Sequence, residues 1–237
     1  MGQAFQAILE EKIQEIANVM DHLMRHEVWR FGPVEISSTV RNTWVIMALL
    51  FLLVYLATRR ISERPRGAQT LLEIILEFYY SLIDGGLGKK GRVYLPIVGT
   101  LFTFIIFMNL SWFIPGMIPP TTDIMTTAAL AITTIFLVQV VAVMQKGFIG
   151  YLHHFGEPII LLLPMNIIEE LVKPFSLTIR LFCNMFAEKM ATSILFILVP
   201  LLLPVPIMAL GVLMGSIQAF IFSMLAVTYL ATATHGH

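Results

Sequence analysis

Residues 164–190 read PMNIIEELVKPFSLTIRLFCNMFAEKM, and beyond Lys189 the chain contains no Asp, Glu, Lys or Arg. Six charges therefore sit at one end of a long apolar stretch that runs from Glu157 nearly to the C-terminus. A charged side chain at a bilayer centre costs at least about 2.5–3.5 kcal/mol, so such residues mark function or a pairing partner. At about 100° per residue, Lys173 and Arg180, seven apart, point nearly the same way, and Glu169 lies within about 20° of Arg180. Ser176, Arg180 and Asn184 step by four and continue the stripe. One face of a long membrane helix is thus polar over several turns, with Leu177, Ile179, Leu181 and Phe182 flanking it.

The rest of the chain agrees. Of 237 residues, 57% are hydrophobic and 13% charged, against about 25% charged in soluble domains. A spanning helix needs about 20 apolar residues, and breaks at charges and prolines give five candidate spans, at about 42–58, 94–114, 124–145, 158–199 and 204–232. Pro200, Pro204 and Pro206 separate the last two, because proline breaks a helix interior. The expected fold is an all-α membrane protein, with residues 41–237 as one polytopic domain and its last two helices long, tilted and packed as a hairpin. Residues 68–84 (AQTLLEIILEFYYSLID) carry Glu73, Glu77 and Asp84 and suit an interfacial helix better than a span. Residues 1–40 show apolar positions at roughly helical spacing (Phe5, Ile8, Leu9, Ile16, Met20, Leu23). They are expected to form an amphipathic outer-side segment, since Glu10, Glu11 and Glu15 interrupt what a signal peptide would need.

Basic residues favour the cytoplasmic side. Arg59, Arg60, Arg64 and Arg66 follow the first span, Lys89, Lys90 and Arg92 precede the second, and Lys146 follows the third. All fall inside if the N-terminus is outside, which places the C-terminus in the cytoplasm.

Several function classes are disfavoured. Fifteen Lys+Arg balance fifteen Asp+Glu, so no nucleic-acid partner is expected. The single cysteine, Cys183, permits no internal disulfide framework. No phosphate-binding Gly-x-x-x-x-Gly-Lys-Ser/Thr loop, HExxH or GxSxG motif occurs, and neither cofactor nor metal is expected. His22 with His26, and His153 with His154, read more simply as solvated loop histidines.

Arg180 lies deeper than the other charges, has no acid at i±3 or i±4, and keeps its charge at any physiological pH. A structural arginine here should have a carboxylate partner close by in sequence or on another span, and the last span offers none. Glu169, Glu170 and Lys173 admit two readings: mutual neutralisation at the lipid interface, or a place on an ion path. Gln218, the strongly polar residue near the middle of the last span, fits either interhelical hydrogen bonding or an ion path. Gly211, Gly215, Ala219 and Ser223 recur every four residues, the small-residue face that lets helices approach closely. A self-contained secondary transporter is the alternative; such folds commonly carry internal repeats, and none is visible here.

The run Lys-Pro-x-Ser-Leu-x-x-Arg-Leu-Phe-x-Asn at 173–184, SIQAFIFSMLAVTYL at 216–230 and MNLSWFIPG…PPTTDI at 108–124 resemble subunit a of the F-type rotary ATP synthases, the ATPase subunit 6 family. The resemblance covers about residues 90–230. It implies a non-catalytic stator subunit with two proton half-channels; a bacterial inner membrane is expected, since no organellar targeting peptide is visible. Its implied partners are the ring of c subunits, the peripheral-stalk b subunits and the lipid bilayer. Arg180 matches the essential arginine, Asn184 and Gln218 its polar neighbours, and Asp123, Glu169 and Glu170 the aqueous access routes. The missing acid opposite Arg180 is then a carboxylate on the ring. Two departures stand out. Cys183 replaces a glycine usual in the family, and Glu188-Lys189 replaces a usual Gly-Glu, which moves the acid one position, about 100° round the helix. Gly211 stands where relatives often carry a titratable partner for that acid. Glu188 is the expected relay on the outer side.

Overall fold

The computed structural model describes residues 6, 10–14, 17–18, 28–31, 34–59, 67–114, 117–156, 163–198 and 204–234. Most of the amphipathic N-terminal segment, Arg60, Arg64, Arg66, Glu157 and the proline turn at Pro200 lie outside the described residues.

Among the described residues, six long helices carry the fold. They are α1 (Ser38–Thr58), α2 (Ala68–Leu87), α3 (Leu95–Leu110), α4 (Ile124–Gly156), α5 (Leu163–Leu198) and α6 (Pro204–Thr234). Short 3-10 turns at Lys89–Tyr94, Ser111–Phe113 and Pro120–Thr122 join them. Among the described residues, four stretches are long and apolar enough to cross a membrane: Ser38–Thr58, Lys89–Phe113, Ile124–Gln145 and Val205–Thr232. The chain is a multi-pass, almost wholly helical membrane protein. The 36-residue α5 is not in that count, yet at 1.5 Å per residue it is about 54 Å long.

One element departs from the sequence expectation. Val28–Phe31 and Val34–Ser37, inside the segment read as amphipathic, pair as an antiparallel β-hairpin with Trp29 opposite Ile36. Strand-favouring Val, Trp, Phe and Ile dominate these eight positions, and a sparse helical period across residues 1–40 hid that local preference. The second strand runs directly into α1, whose first turn is capped by the Ser37 hydroxyl accepting from Thr39 N at 3.3 Å.

The core lies where α3, α4, α5 and α6 meet. Leu101 and Ile105, Ala131 and Ile135, Leu177 and Leu181, and Ala219, Phe222 and Ala226 form one buried cluster. A second, Ile83, Leu87, Val98, Val138, Val227 and Leu230, ties α2 to the C-terminal half of α6. The small-residue stripe of α6 permits these approaches. Gly215 lies so close to α3 that a Cβ there would meet Asn109 Cβ at 3.2 Å, and Asn109 Nδ2 donates to Gly215 O at 3.1 Å.

The α2 helix is tied to its neighbours by polar contacts as well. Thr103 donates to Gly99 O at 2.7 Å, which leaves its oxygen to accept from Tyr79 OH at 2.5 Å. At its C-terminal end Asp84 accepts from Arg92 Nε at 3.0 Å and Nη2 at 2.5 Å. That paired guanidinium holds the Asp84 carboxyl below its ordinary value. Glu73 and Glu77 stay exposed.

Beyond the third apolar run, α4 continues past Lys146, but Gly147 takes φ 72° and ψ 161° and so breaks the helical path. Only glycine adopts this positive φ without strain. In α5, Pro174 does not end the helix, which runs unbroken to Leu198.

Candidate polar pathway on the last two helices

The polar residues of α5 fall into three groups along its length. At 1.5 Å per residue, Lys173 precedes Arg180 by about 10 Å along the axis, and Glu188 follows it by about 12 Å.

The first group is closed upon itself. Lys173 Nζ donates to Glu170 Oε1 at 2.6 Å and lies 3.6 Å from Glu169 Oε1. The other Glu170 oxygen accepts from Gln139 Nε2 of α4 at 2.6 Å. Lys173 also stands over the Tyr229 ring of α6, 5.3 Å from its centroid, a cation–π contact. Glu170 and Lys173 are partly buried, whereas the Glu169 side chain is 69% exposed. The two neighbouring acids are thus unlike: one is held on both oxygens, the other open to its surroundings.

The middle group is Arg180, Asn184 and Gln218. Asn184 Nδ2 donates to Gln218 Oε1 at 2.7 Å, joining α5 to α6. Gln218 is 1% exposed. Ser176, one turn before Arg180, is half-buried on the same helix. Arg180 is partly exposed, and among the described residues no acid forms an ion pair with it. Cys183 and Ile179 are exposed beside it, on a face that also shows Phe175, Val172 and Ile168 to the surroundings.

The third group lies toward the C-terminal end of α5. Lys189 is 4% exposed and Thr192 equally buried, while Glu188 leans against Gly211 of α6. Glu188 Oε2 and Thr192 Oγ1 are buried with no hydrogen-bond partner among the described residues. The Asp123 carboxylate accepts from Met125 N at 3.0 Å and so caps α4.

The structure thus brings Asn184 to Gln218 and Glu169 and Glu170 to Lys173. It sets Glu188 and Asp123 apart from both pairs. Sequence reasoning missed Gln139 and Tyr229, which reach the first group from other helices. Spacing within one helix carries no sign of such contacts.

These features define a class: a polytopic helical membrane protein whose last two helices carry a polar path broken by one arginine without an acid partner among the described residues. Residues 40–231 match the family described as ATP synthase A chain, and the chain belongs to that family. It is similar to ATP synthase subunit a of Moorella thermoacetica, 56% identical over 218 residues that cover 92% of this chain and all of the relative. ATP synthase subunit a 1 of Syntrophotalea carbinolica is 44% identical over 198 residues, covering 82% and 84%. ATP synthase subunit a 2 of Bradyrhizobium sp. is 40% identical over 206 residues, covering 87% and 92%.

Proposed function

We propose that this subunit is the proton-conducting stator of a rotary ATP synthase, with Arg180 as the charge that couples proton flow to rotation of the c-subunit ring. The observation that carries the reading is Arg180 itself. It is an obligate cation on a long membrane helix, without an acid partner among the described residues, and it has polar groups on the same helix both before and after it. The Glu169–Glu170–Lys173 group forms the mouth of an inner half-channel, and Asp123 and Glu188 belong to an outer one. Asn184, Gln218 and Ser176 line the approach to Arg180. Peripheral-stalk b subunits hold this chain against the ring, in a bacterial inner membrane, with the N-terminus outside and the C-terminus in the cytoplasm.

The chemistry follows from the cost of charge in hydrocarbon. A ring carboxylate crosses lipid only when protonated, because a bare carboxylate there is expensive. On meeting Arg180 it is favoured as the anion by direct charge attraction, so its proton leaves toward one half-channel. After passing Arg180 it is reprotonated from the other. The fixed guanidinium also repels protons that would otherwise run straight between the half-channels. Each charge moved through 100 mV yields about 2.3 kcal/mol, so several protons are combined for each ATP. Support for a wet outer path comes from Glu188 and Thr192. An unpaired buried polar atom costs about 1–3 kcal/mol unless water reaches it.

The test is ATP-driven acidification of inverted membrane vesicles carrying the whole complex, native against Arg180→Ala, with assembly checked by blot. Pumping is expected to fall to background while assembly is retained. Undiminished pumping sinks the proposal.

A further inference from the structure

Gly211 is buried on the second turn of α6 and faces α5. A Cβ built on it would fall within the Glu188 carboxylate, with Oε2 only 2.8 Å away. The acid of one helix therefore occupies the space that a side chain on the other would take. Gly215, one turn further along the same stripe, is used differently: it faces Asn109 and Met185, where the fit is one of packing and a backbone hydrogen bond. At position 211 the neighbour is the tip of a flexible acidic side chain. A methyl group there displaces a carboxylate and leaves the helix backbones where they are.

We propose that Gly211 is a positioning residue: its lack of a side chain seats the Glu188 carboxylate in the seam between α5 and α6, and so sets where the outer proton path meets an acid. The inference rests on the reading of Glu188 as the outer relay, and it adds a steric condition to that reading. The acid at 188 and the glycine at 211 form one unit. Any side chain at 211 turns the carboxylate out of the seam unless the acid is shortened to match. The one-turn neighbour Thr192, 4% exposed and with an unpartnered hydroxyl among the described residues, marks the same seam as polar rather than sealed by apolar packing.

Four versions of the intact complex in inverted vesicles test this: native, Glu188→Gln, Gly211→Ala, and Gly211→Ala combined with Glu188→Asp. Two readouts are taken, ATP-driven acidification and the dependence of ATP synthesis on lumenal pH. Misplacing a proton-transfer group by about 1 Å costs up to about a hundredfold, so Gly211→Ala is expected to assemble and to pump about ten- to a hundredfold more slowly. Its lumenal pH profile should also be displaced. Aspartate is one methylene shorter and fits beneath the new methyl, so the double variant should recover most of the loss. Native pumping and a native pH profile in Gly211→Ala overturn the positioning role. So does a loss that Glu188→Asp fails to relieve, because position 211 is then a matter of packing. If Gly211→Ala does not assemble, the double variant decides: pumping there supports the unit, and failure there overturns it. Native behaviour of Glu188→Gln overturns the relay reading itself, whatever Gly211→Ala does.

Discussion

The two ends of the polar path on α5 are built on opposite plans. At the Lys173 end the cation meets two acids and an aromatic ring, and Glu170 has a donor on each oxygen. At the Glu188 end a carboxylate oxygen and a threonine hydroxyl are buried without partners among the described residues. A saturated cluster resists change in its charges, whereas one with unpartnered polar atoms is less tightly held. On the proposed function, the first end orients and the second exchanges protons. Within the first, Glu169 is the open group, and Glu170 fixes the frame around it.

The largest expected effect lies between the two ends. Arg180→Ala should abolish ATP-driven pumping without loss of assembly; Arg180→Lys should also fail, because an ammonium lacks the planar fork of donors. Vesicle acidification checks both. If Arg180→Lys pumps normally, charge alone suffices and the three-group description needs redrawing. Next comes Lys173→Met, which leaves Glu170 bonded only to Gln139 and frees Glu169. Hydrogen bonds to charged groups are worth about 1.5–3 kcal/mol. The variant should therefore lower the melting temperature of the detergent-solubilised complex more than it lowers pumping per assembled complex. The reverse outcome would make the inner group an exchange site and break the comparison.

Gln139→Leu removes the single donor to the second Glu170 oxygen and should cost less than Lys173→Met, about 1–2 kcal/mol by the same measurement. The smallest effect is expected at Asp84, remote from the path and bonded to an exposed Arg92. Its carboxyl is held below 3.8 by Arg92. The stabilisation is therefore fully present above that value and is lost as pH falls through the lower folded-state value. Melting at low salt should show a small advantage of the native chain over Asp84→Asn at neutral pH, vanishing in strong acid and shrinking in high salt.

How much of this was legible beforehand depends on whether a feature is local. The stripe Lys173–Ser176–Arg180–Asn184 follows from 3.6 residues per turn, and the absence of a nearby acid around Arg180 is plain in the linear sequence. The apolar runs likewise announce helices long enough to cross a bilayer. The link from Asn184 to Gln218 spans 34 positions and was anticipated only in kind, as polar groups on adjacent spans. Gln139 and Tyr229 gave no signal at all: each is one polar side chain in an apolar helix, and only the packing of α4 and α6 on α5 brings them to Glu170 and Lys173. The glycine stripe was visible as a means of close approach. That Gly211 receives a carboxylate while Gly215 receives an asparagine depends on interhelical register, which no single-helix pattern records.

One contact at the edge of the fold has a consequence for the order in which the chain is made. Only 11% of the apolar window of α1 is buried, against 44% for α6, and its polar anchor is Asn42 Nδ2 donating to Ile118 O at 3.0 Å, 76 positions away. At about 5–20 residues per second, a ribosome delivers Ile118 about 4–15 s after Asn42. During that interval the Asn42 amide waits for the Ile118 carbonyl. The first membrane helix thus gains its polar anchor before α4, α5 and α6 have been made.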